Sequence, residues 1–269
     1  MKSLLIALAA LASAQAQPMA GPRPSPMPPA IPAPQDRPYP GTIRLAVDAT
    51  DTTRAIFRVD ETIPITSGPL VLLFPKWIPG NHGPTGPIDK FAGLVIRAGS
   101  AKLAWTRDTV DVYAFHVAVP NGVRALNVSF QFLSPVETKE GRVVMTPEML
   151  NLEWNAVALY PAGYFARDIM VQPTVTLPAG WKFGTALETA SASGGATAFK
   201  PVSFNTLVDS PIFAGHYFER VDLDPGGRAP VHMDIVADRP DELAINPAEL
   251  QIHRNLVQQA YRAFGSHHY

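Results

Sequence analysis

Hydrophobic and polar side chains alternate along much of the chain after residue 41. Ile43, Leu45 and Val47 show the pattern first, with other side chains between them. A period of two places one set of side chains on a single face of a β-strand. Alternating or continuous apolar runs predict strands at residues 43–47, 54–60, 70–74, 110–119, 126–132, 171–177, 181–187 and 231–235.

Turn-forming residues separate these predicted strands. Gly, Pro, Asn and Asp cluster at residues 67–69, 120–122, 178–180 and 224–227, where they supply the backbone angles that turns require. Many short strands joined by turns predict a mainly β fold over residues 41–240, either an antiparallel β-sandwich or a saddle-like sheet. Residues 147–159 fit a short helix and a strand edge equally well.

A helix is predicted near the end of the chain. Asn246 is a capping residue, Pro247 suits the first helical position, and Glu249 stands three residues after the cap. Apolar residues then recur at helical spacing until Gly265, which favours a helix end. A single helix after a long β region predicts that residues 241–269 begin a second, truncated domain. The side chains expected to face that domain are Leu250, Leu256, Val257 and Phe264.

The first 40 residues have a different character. Lys2, an apolar run over residues 4–12 and the small-x-small pattern at residues 14–16 predict a signal peptide over residues 1–16. The apolar run is too short for the alternative, a membrane anchor, to be favoured. Ten prolines within residues 18–40 predict a disordered linker over residues 17–40, since proline disrupts helices and central strands.

Composition limits the cellular compartment and the classes of binding partner that we expect for this chain. A formal net charge of −1 gives no electrostatic reason to bind nucleic acid, or a membrane once the signal is cleaved. The chain has no cysteine, so neither a disulfide nor a cysteine-linked lipid can form. With the bacterial type of signal, this predicts export to the periplasm or the medium.

The sequence contains no recognisable catalytic centre. Its seven histidines include no H-E-x-x-H pair, in which two imidazoles one helical turn apart bind zinc. His116 and His232 lie in strand-like patterns, where a surface or hydrogen-bonded role is the more common one. The G-x-S-x-G elbow is absent as well. We therefore predict no catalytic residues and no metal ligands in this chain.

One loop is unusual in its composition. Residues 74–84 read FPKWIPGNHGP, with three prolines and two glycines around one tryptophan. Prolines stiffen a loop, so it can hold side chains in place at low entropic cost. One interpretation is a rim that touches substrate or a neighbouring domain, with Trp77, Gly80, Asn81 and His82 as the substrate-facing candidates. The other is a rigid corner that packs Trp77 into the core.

Two segments resemble motifs of a known family. Residues 75–80 read PKWIPG, similar to the P-x-W-x-P-G signature in the amino-terminal domain of the glycyl aminopeptidase family, peptidase family M-61. Residues 207–215 read LVDSPIFAG, similar to that family's L-x-D-S-P-x-x-A-G segment. The resemblance covers about residues 41–269. The family often has serine and tyrosine after P-G, whereas this chain has Asn81 and His82, which leaves the role of His82 open.

The resemblance implies a function that composition does not show. Family members are zinc aminopeptidases, some of which favour glycine and alanine, and their metal ligands lie in a thermolysin-like domain beyond residue 269. The chain is then a non-catalytic amino-terminal domain that shapes the active-site cleft. Its partners are the catalytic domain of the same polypeptide and, through the full-length enzyme, a peptide substrate; zinc belongs to the full-length protein. The alternative is a stand-alone periplasmic β module that binds a ligand or partner.

Overall fold

The computed structural model describes residues 25–78, 80–227 and 230–266. The predicted signal peptide, residues 1–16, lies outside the described residues. The first strands are β1 (Thr42–Asp51), β2 (Ile56–Pro64), β3 (Gly68–Leu73), β4 (Phe91–Ala98), β5 (Ala101–Leu103), β6 (Trp105–Arg107), β7 (Ala114–Val119), β8 (Ala125–Leu133) and β9 (Met149–Leu152). Then follow β10 (Tyr160–Pro161), β11 (Met170–Thr176), β12 (Lys182–Gly184), β13 (Thr189–Ser193), β14 (Ala196–Phe199), β15 (Val202–Ser203), β16 (Ile212–Gly215), β17 (Tyr217–Asp222) and β18 (His232–Ala237). The α-helices are α1 (Phe204–Val208) and α2 (Pro247–Phe264).

These strands form four sheets, so the prediction of a mainly β fold is confirmed. The largest sheet has nine strands in the order β13-β14-β11-β1-β2-β8-β4-β5, with β15 paired to β11. A four-stranded sheet runs β10-β3-β7-β6, a three-stranded sheet runs β12-β16-β9, and β17 pairs with β18. The prediction of an antiparallel arrangement does not hold between β1 and β11. Strands β1 and β11 run parallel, with Ile43 opposite Val171.

One continuous hydrophobic core joins the three larger sheets. It contains Leu45 of the nine-stranded sheet, Phe115 of the four-stranded sheet and Leu152 of the three-stranded sheet, each almost fully buried. The period-two pattern explains this arrangement, because β1 buries every second side chain along its length. Trp154 is also fully buried in the core.

Several predicted strands begin or end at other residues in the structure. The predicted strand over residues 110–119 begins only at Ala114, since the carboxylate of Asp108 accepts hydrogen bonds from the N–H groups of Val110 and Asp111 and forms a turn. The predicted strand over residues 181–187 is reduced to β12. The ambiguous residues 147–159 contain strand β9 and a 3-10 turn at Trp154–Ala156.

The proline-rich segment differs from the predicted disordered linker at its described end. The N–H group of Gln35 donates to the carbonyl of Gly163 over 3.2 Å, and that of Tyr39 donates to the carbonyl of Asp168 over 3.0 Å. Tyr39 is buried, and its hydroxyl donates to the carbonyl of Pro64. Residues 35–40 therefore lie against the β domain, because the N–H groups of Gln35 and Tyr39 find hydrogen-bond acceptors there.

Helix α2 forms where the capping pattern predicted it. The side chain of Asn246 accepts a hydrogen bond from the N–H group of Ala248, and Gly265 ends the helix in the left-handed conformation. The expectation that Val257 faces a missing domain is wrong, since Val257 is buried within this chain. Leu256 is exposed, as expected. No helix in the described ranges has both the length and the apolar character needed to cross a membrane.

Candidate functional site

The proline-rich loop, which the structure describes at residues 75–78 and 80–87, is held by its own backbone and by a neighbouring turn. The N–H group of Gly86 donates to the carbonyl of Lys76 over 3.0 Å, which closes the loop. A Cβ atom at Gly86 would lie 2.0 Å from the carbonyl oxygen of Pro75, so only glycine fits there. The hydroxyl of Tyr113 donates to the carbonyl of Gly86, and Lys76 forms an ion pair with Asp111 at 2.9 Å. The loop is therefore rigid at its base.

The four substrate-facing candidates lie on the surface of this loop. Trp77 is 65% exposed, so the interpretation that packs it into the core is wrong. Gly80 has a φ of +78°, and the N–H group of Asn81 donates to the carbonyl of Ile78. His82 is exposed. This placement leaves all four side chains or backbone groups accessible.

The second motif forms a separate, well-anchored corner. Helix α1 is capped by Ser203, whose hydroxyl accepts a hydrogen bond from the N–H group of Thr206. The helix ends at Val208, Asp209 is its C-cap, and the next residue, Ser210, is buried. The indole nitrogen of Trp154 donates to the carbonyl of Ser210 over 2.9 Å. This contact fixes the corner against the segment that follows β9.

Both motifs meet at one cleft of about 600 Å³. Ile78, Gly80 and Asn81 of the first loop line it, and so do residues of the second motif, among them Asp209. Two of the predicted candidates, Gly80 and Asn81, therefore lie in the cleft. Trp77 and His82 lie outside its lining. The remaining lining residues are Thr85, Pro87, Arg142, Glu153, Asn155, Val208 and Pro211.

The polar groups of the cleft come mostly from residues that the sequence did not mark. Arg142 and Glu153 form an ion pair at the edge of the cleft, and Asp209 is exposed. Asn155 is only 4% exposed, and its amide nitrogen has no hydrogen-bond partner among the described residues. Glu153 and Asn155 belong to residues 147–159, where no periodic signal exists, and Arg142 lies in a loop. Of Arg142, Glu153, Asn155 and Asp209, only Asp209 had a sequence signal, its place in the second motif.

A buried carboxyl group ties the segment that follows β9 to the nine-stranded sheet. Glu61 of β2 is 2% exposed, and its Oε1 accepts a hydrogen bond from the N–H group of Leu159 over 2.9 Å. Burial raises the pKa of Glu61 well above its ordinary value, because the charged form loses its hydration. The segment that contains Asn155 and Leu159 is thus tied to the core by the carboxyl group of Glu61, and burial favours the neutral form of that group.

A second buried acid stabilises the turn that holds the base of the loop. Asp108 is 4% exposed, and its Oδ2 lies 2.8 Å from Nε2 of His116. Hydrogen bonds from the N–H group of Asp111 and from His116 lower the pKa of Asp108 below its usual value. His116 is thus a hydrogen-bonded strand histidine. It stabilises the turn from which Asp111 reaches Lys76.

Comparison with known proteins gives the family. A sequence profile described as the peptidase M61 N-terminal domain matches residues 44–216. The chain belongs to the peptidase M61 N-terminal domain family. The resemblance of the two motifs is thereby confirmed. No curated protein matches the chain.

The fold of this M61 N-terminal domain recurs in a solved structure. An aminopeptidase N family protein from Idiomarina loihiensis is similar with a TM-score of 0.61 at 16% identity, over 73% of this chain and 32% of that one. An M1 zinc metallopeptidase from Deinococcus radiodurans gives a TM-score of 0.42 at 12% identity, over 84% of this chain and 52% of that one. At 16% identity the first likeness shows the fold alone. The chain spans about a third of the first structure and about half of the second.

The described residues of this M61 N-terminal domain include no cluster of side chains that could hold a zinc ion. In the part of the chain that the structure describes, no group of three or more His, Asp or Glu side chains is placed to hold a metal. A catalytic zinc needs three protein ligands around one point. Asp108 and His116 form a pair without a third ligand.

Proposed function

We propose that this chain is the non-catalytic amino-terminal domain of an exported zinc aminopeptidase, in which it forms one wall of the active-site cleft. A catalytic domain of the same polypeptide holds the zinc and acts on peptides, removing Gly- or Ala-type residues from their amino termini. Export to the bacterial periplasm or medium rests on the signal-like residues 1–16.

The observation that carries this proposal is the meeting of both family motifs at one cleft. Two sets of residues that are far apart in sequence line the same opening: Ile78, Gly80 and Asn81 from the first loop, and Val208, Asp209 and Pro211 from the second motif. Ordinary packing does not require that two motifs of a domain converge on its surface. Concave surfaces with a few converging polar groups are the usual place for a ligand or a neighbouring active site.

The charges of the cleft suit the end of a peptide. A free amino terminus carries a positive charge at neutral pH, and the carboxylates of Glu153 and Asp209 stand at the cleft. Glu153 is already paired with Arg142, whereas Asp209 is exposed. Asp209 is therefore the residue that we propose to attract the peptide's amino group.

An assay of the purified 269-residue chain tests the non-catalytic part of the proposal. With added zinc, we expect no turnover of glycyl or alanyl p-nitroanilide, because no residues of the described chain can hold the ion. A known aminopeptidase serves as the positive control. Turnover that a chelator abolishes and zinc restores would show that the chain contains a catalytic centre.

The genomic reading frame tests the part that concerns the partner domain. We expect the frame to continue after the codon of residue 269 and to encode an H-E-x-x-H motif. An immediate stop codon would instead favour a stand-alone β module.

A further inference from the structure

A second, mostly apolar cavity of about 260 Å³ lies next to the cleft. Its apolar walls come from core residues, among them Phe57, Phe132, Leu152 and Val157, which are nearly fully buried. Thr85, Pro87, Arg142 and Glu153 line both this inner cavity and the outer cleft. The two spaces are therefore neighbours that share one boundary.

The inner cavity is large enough for a ligand. Cavities of about 150 Å³ with apolar walls bind benzene in proteins whose cores were deliberately emptied. A well-packed core leaves few voids larger than one water molecule. A space of 260 Å³ beside an open cleft therefore has room for one or two aromatic rings.

One polar atom at the cavity needs a hydrogen-bond donor. Asn151 lines the cavity, and its Oδ1 is buried without a partner among the described residues. Its amide nitrogen donates to Oε1 of Glu153 over 3.2 Å, which fixes the orientation of the amide, since a flipped amide would place two oxygens together. A buried acceptor without a donor is costly, so a ligand that supplies one N–H or O–H group gains affinity.

Four of the five charged side chains that line the cavity are paired with one another, and the fifth, Glu140, is exposed to solvent. Arg142 pairs with Glu153, and Lys90 pairs with Asp89 at 3.0 Å. A charged ligand would therefore meet no free counter-ion among these four groups and would lose its hydration. The side chain of Arg142 is 66% exposed, and such surface ion pairs are weak, so the boundary can open to admit a molecule from the cleft.

We infer that the inner cavity is a binding site for a small, neutral, aromatic molecule with one hydrogen-bond donor. The ring packs against Phe57, Phe132 and Leu152, and the donor group reaches Oδ1 of Asn151. This site is independent of the proposed peptidase function, because none of its contacts requires a catalytic domain.

A matched pair of probes tests the site on the full 269-residue chain. Indole has an N–H donor, and 1-methylindole has the same rings without it. Isothermal titration calorimetry should show saturable binding of indole with one site. Binding of 1-methylindole should be weaker by about fivefold, the worth of one ordinary hydrogen bond.

Two variants separate the apolar and the polar contributions. Asn151→Leu should remove the preference for indole over 1-methylindole while both still bind. Ala156→Leu places a larger side chain at the cavity wall and should abolish the binding of both probes. Intermolecular nuclear Overhauser effects from indole to the methyl groups of Leu152 and Val157 give a readout that needs no variant.

Three results would contradict the inference. If neither indole nor 1-methylindole binds, the cavity holds only solvent. Binding that Ala156→Leu leaves unchanged would place the probes elsewhere on the surface. Equal affinity of both probes in the unaltered chain would show that Asn151 makes no bond to the ligand.

Discussion

At the scale of single residues, two buried acids behave in opposite ways because their surroundings differ. Glu61 accepts one hydrogen bond, from Leu159, and its Oε2 has no partner among the described residues. Asp108 accepts two backbone hydrogen bonds and lies beside His116. Burial dominates at Glu61 and raises its pKa, whereas hydrogen bonds dominate at Asp108 and lower its pKa.

We expect Glu61 to make the chain less stable as the pH rises. The folded state holds the proton of Glu61 above the ordinary pKa of 4.5, whereas the unfolded state releases it. The contribution of this proton to stability is therefore complete below the ordinary pKa and is lost as the pH rises from that value through the raised pKa of the folded state. Urea denaturation at several pH values measures this change in the free energy of unfolding.

The variant Glu61→Gln should lose that part of the pH dependence, since its amide does not titrate in this range. Asp60→Asn is the matched control, because Asp60 is the exposed neighbour on the same strand. An unchanged pH profile in Glu61→Gln would show that Glu61 is ionised in the folded protein.

We expect Asp108→Ala to lower the free energy of unfolding by about 2–3 kcal/mol. The substitution leaves two N–H groups and His116 without their acceptor. The contribution of Asp108 is present above its ordinary pKa of 3.8 and is lost as the pH falls through the lowered value. Guanidinium denaturation at neutral and acidic pH measures both effects. A loss of stability that is the same at both pH values would contradict this account.

At the scale of elements, the sequence predicts single strands and helices well but predicts poorly which strands pair with each other. Strands β1 and β8 and helix α2 follow from side-chain periodicity and capping. The parallel pairing of β1 with β11 could not be predicted, because alternation shows which face is buried but not which strand lies beside it. Glu153 and Asn155 were missed for a related reason. Asn155 lies in a 3-10 turn and Glu153 directly precedes it, and this turn is too short to show a hydrophobic period.

The rigid loop of residues 75–87 gives a prediction at the same scale. Gly86→Ala should lower the free energy of unfolding by about 2 kcal/mol or more, because its new methyl group would collide with a backbone carbonyl. Gly83→Ala is the matched control, since its methyl group would meet only one atom, at 3.9 Å. Equal stability of both variants would mean that the loop is not held as described.

At the scale of the whole molecule, α2 and the β17–β18 hairpin form a unit beside the main core. Gln258 and Tyr261 donate hydrogen bonds to Asp224, and Val257 is buried. None of these residues belongs to the core that joins the three larger sheets. The sequence predicted the helix itself but not these contacts with the hairpin.

Deletion of residues 246–269 should therefore leave the melting temperature of the main core nearly unchanged. The hairpin loses its cover, so we expect faster hydrogen exchange in β17 and β18 alone. Calorimetry and hydrogen–deuterium exchange measure the two effects. A large fall in the melting temperature would show that α2 belongs to the main cooperative unit.

The central claim is that the cleft between the two motifs forms one wall of an aminopeptidase active site. Aminopeptidase kinetics of the whole gene product test this claim most directly. We predict chelator-sensitive cleavage of glycyl and alanyl substrates. Asp209→Ala should lower kcat/KM by about tenfold or more without loss of bound zinc. Glu219→Ala, which alters an exposed acid on the hairpin, should leave it unchanged. Equal kcat/KM in the two variants, or no aminopeptidase activity, would contradict the account.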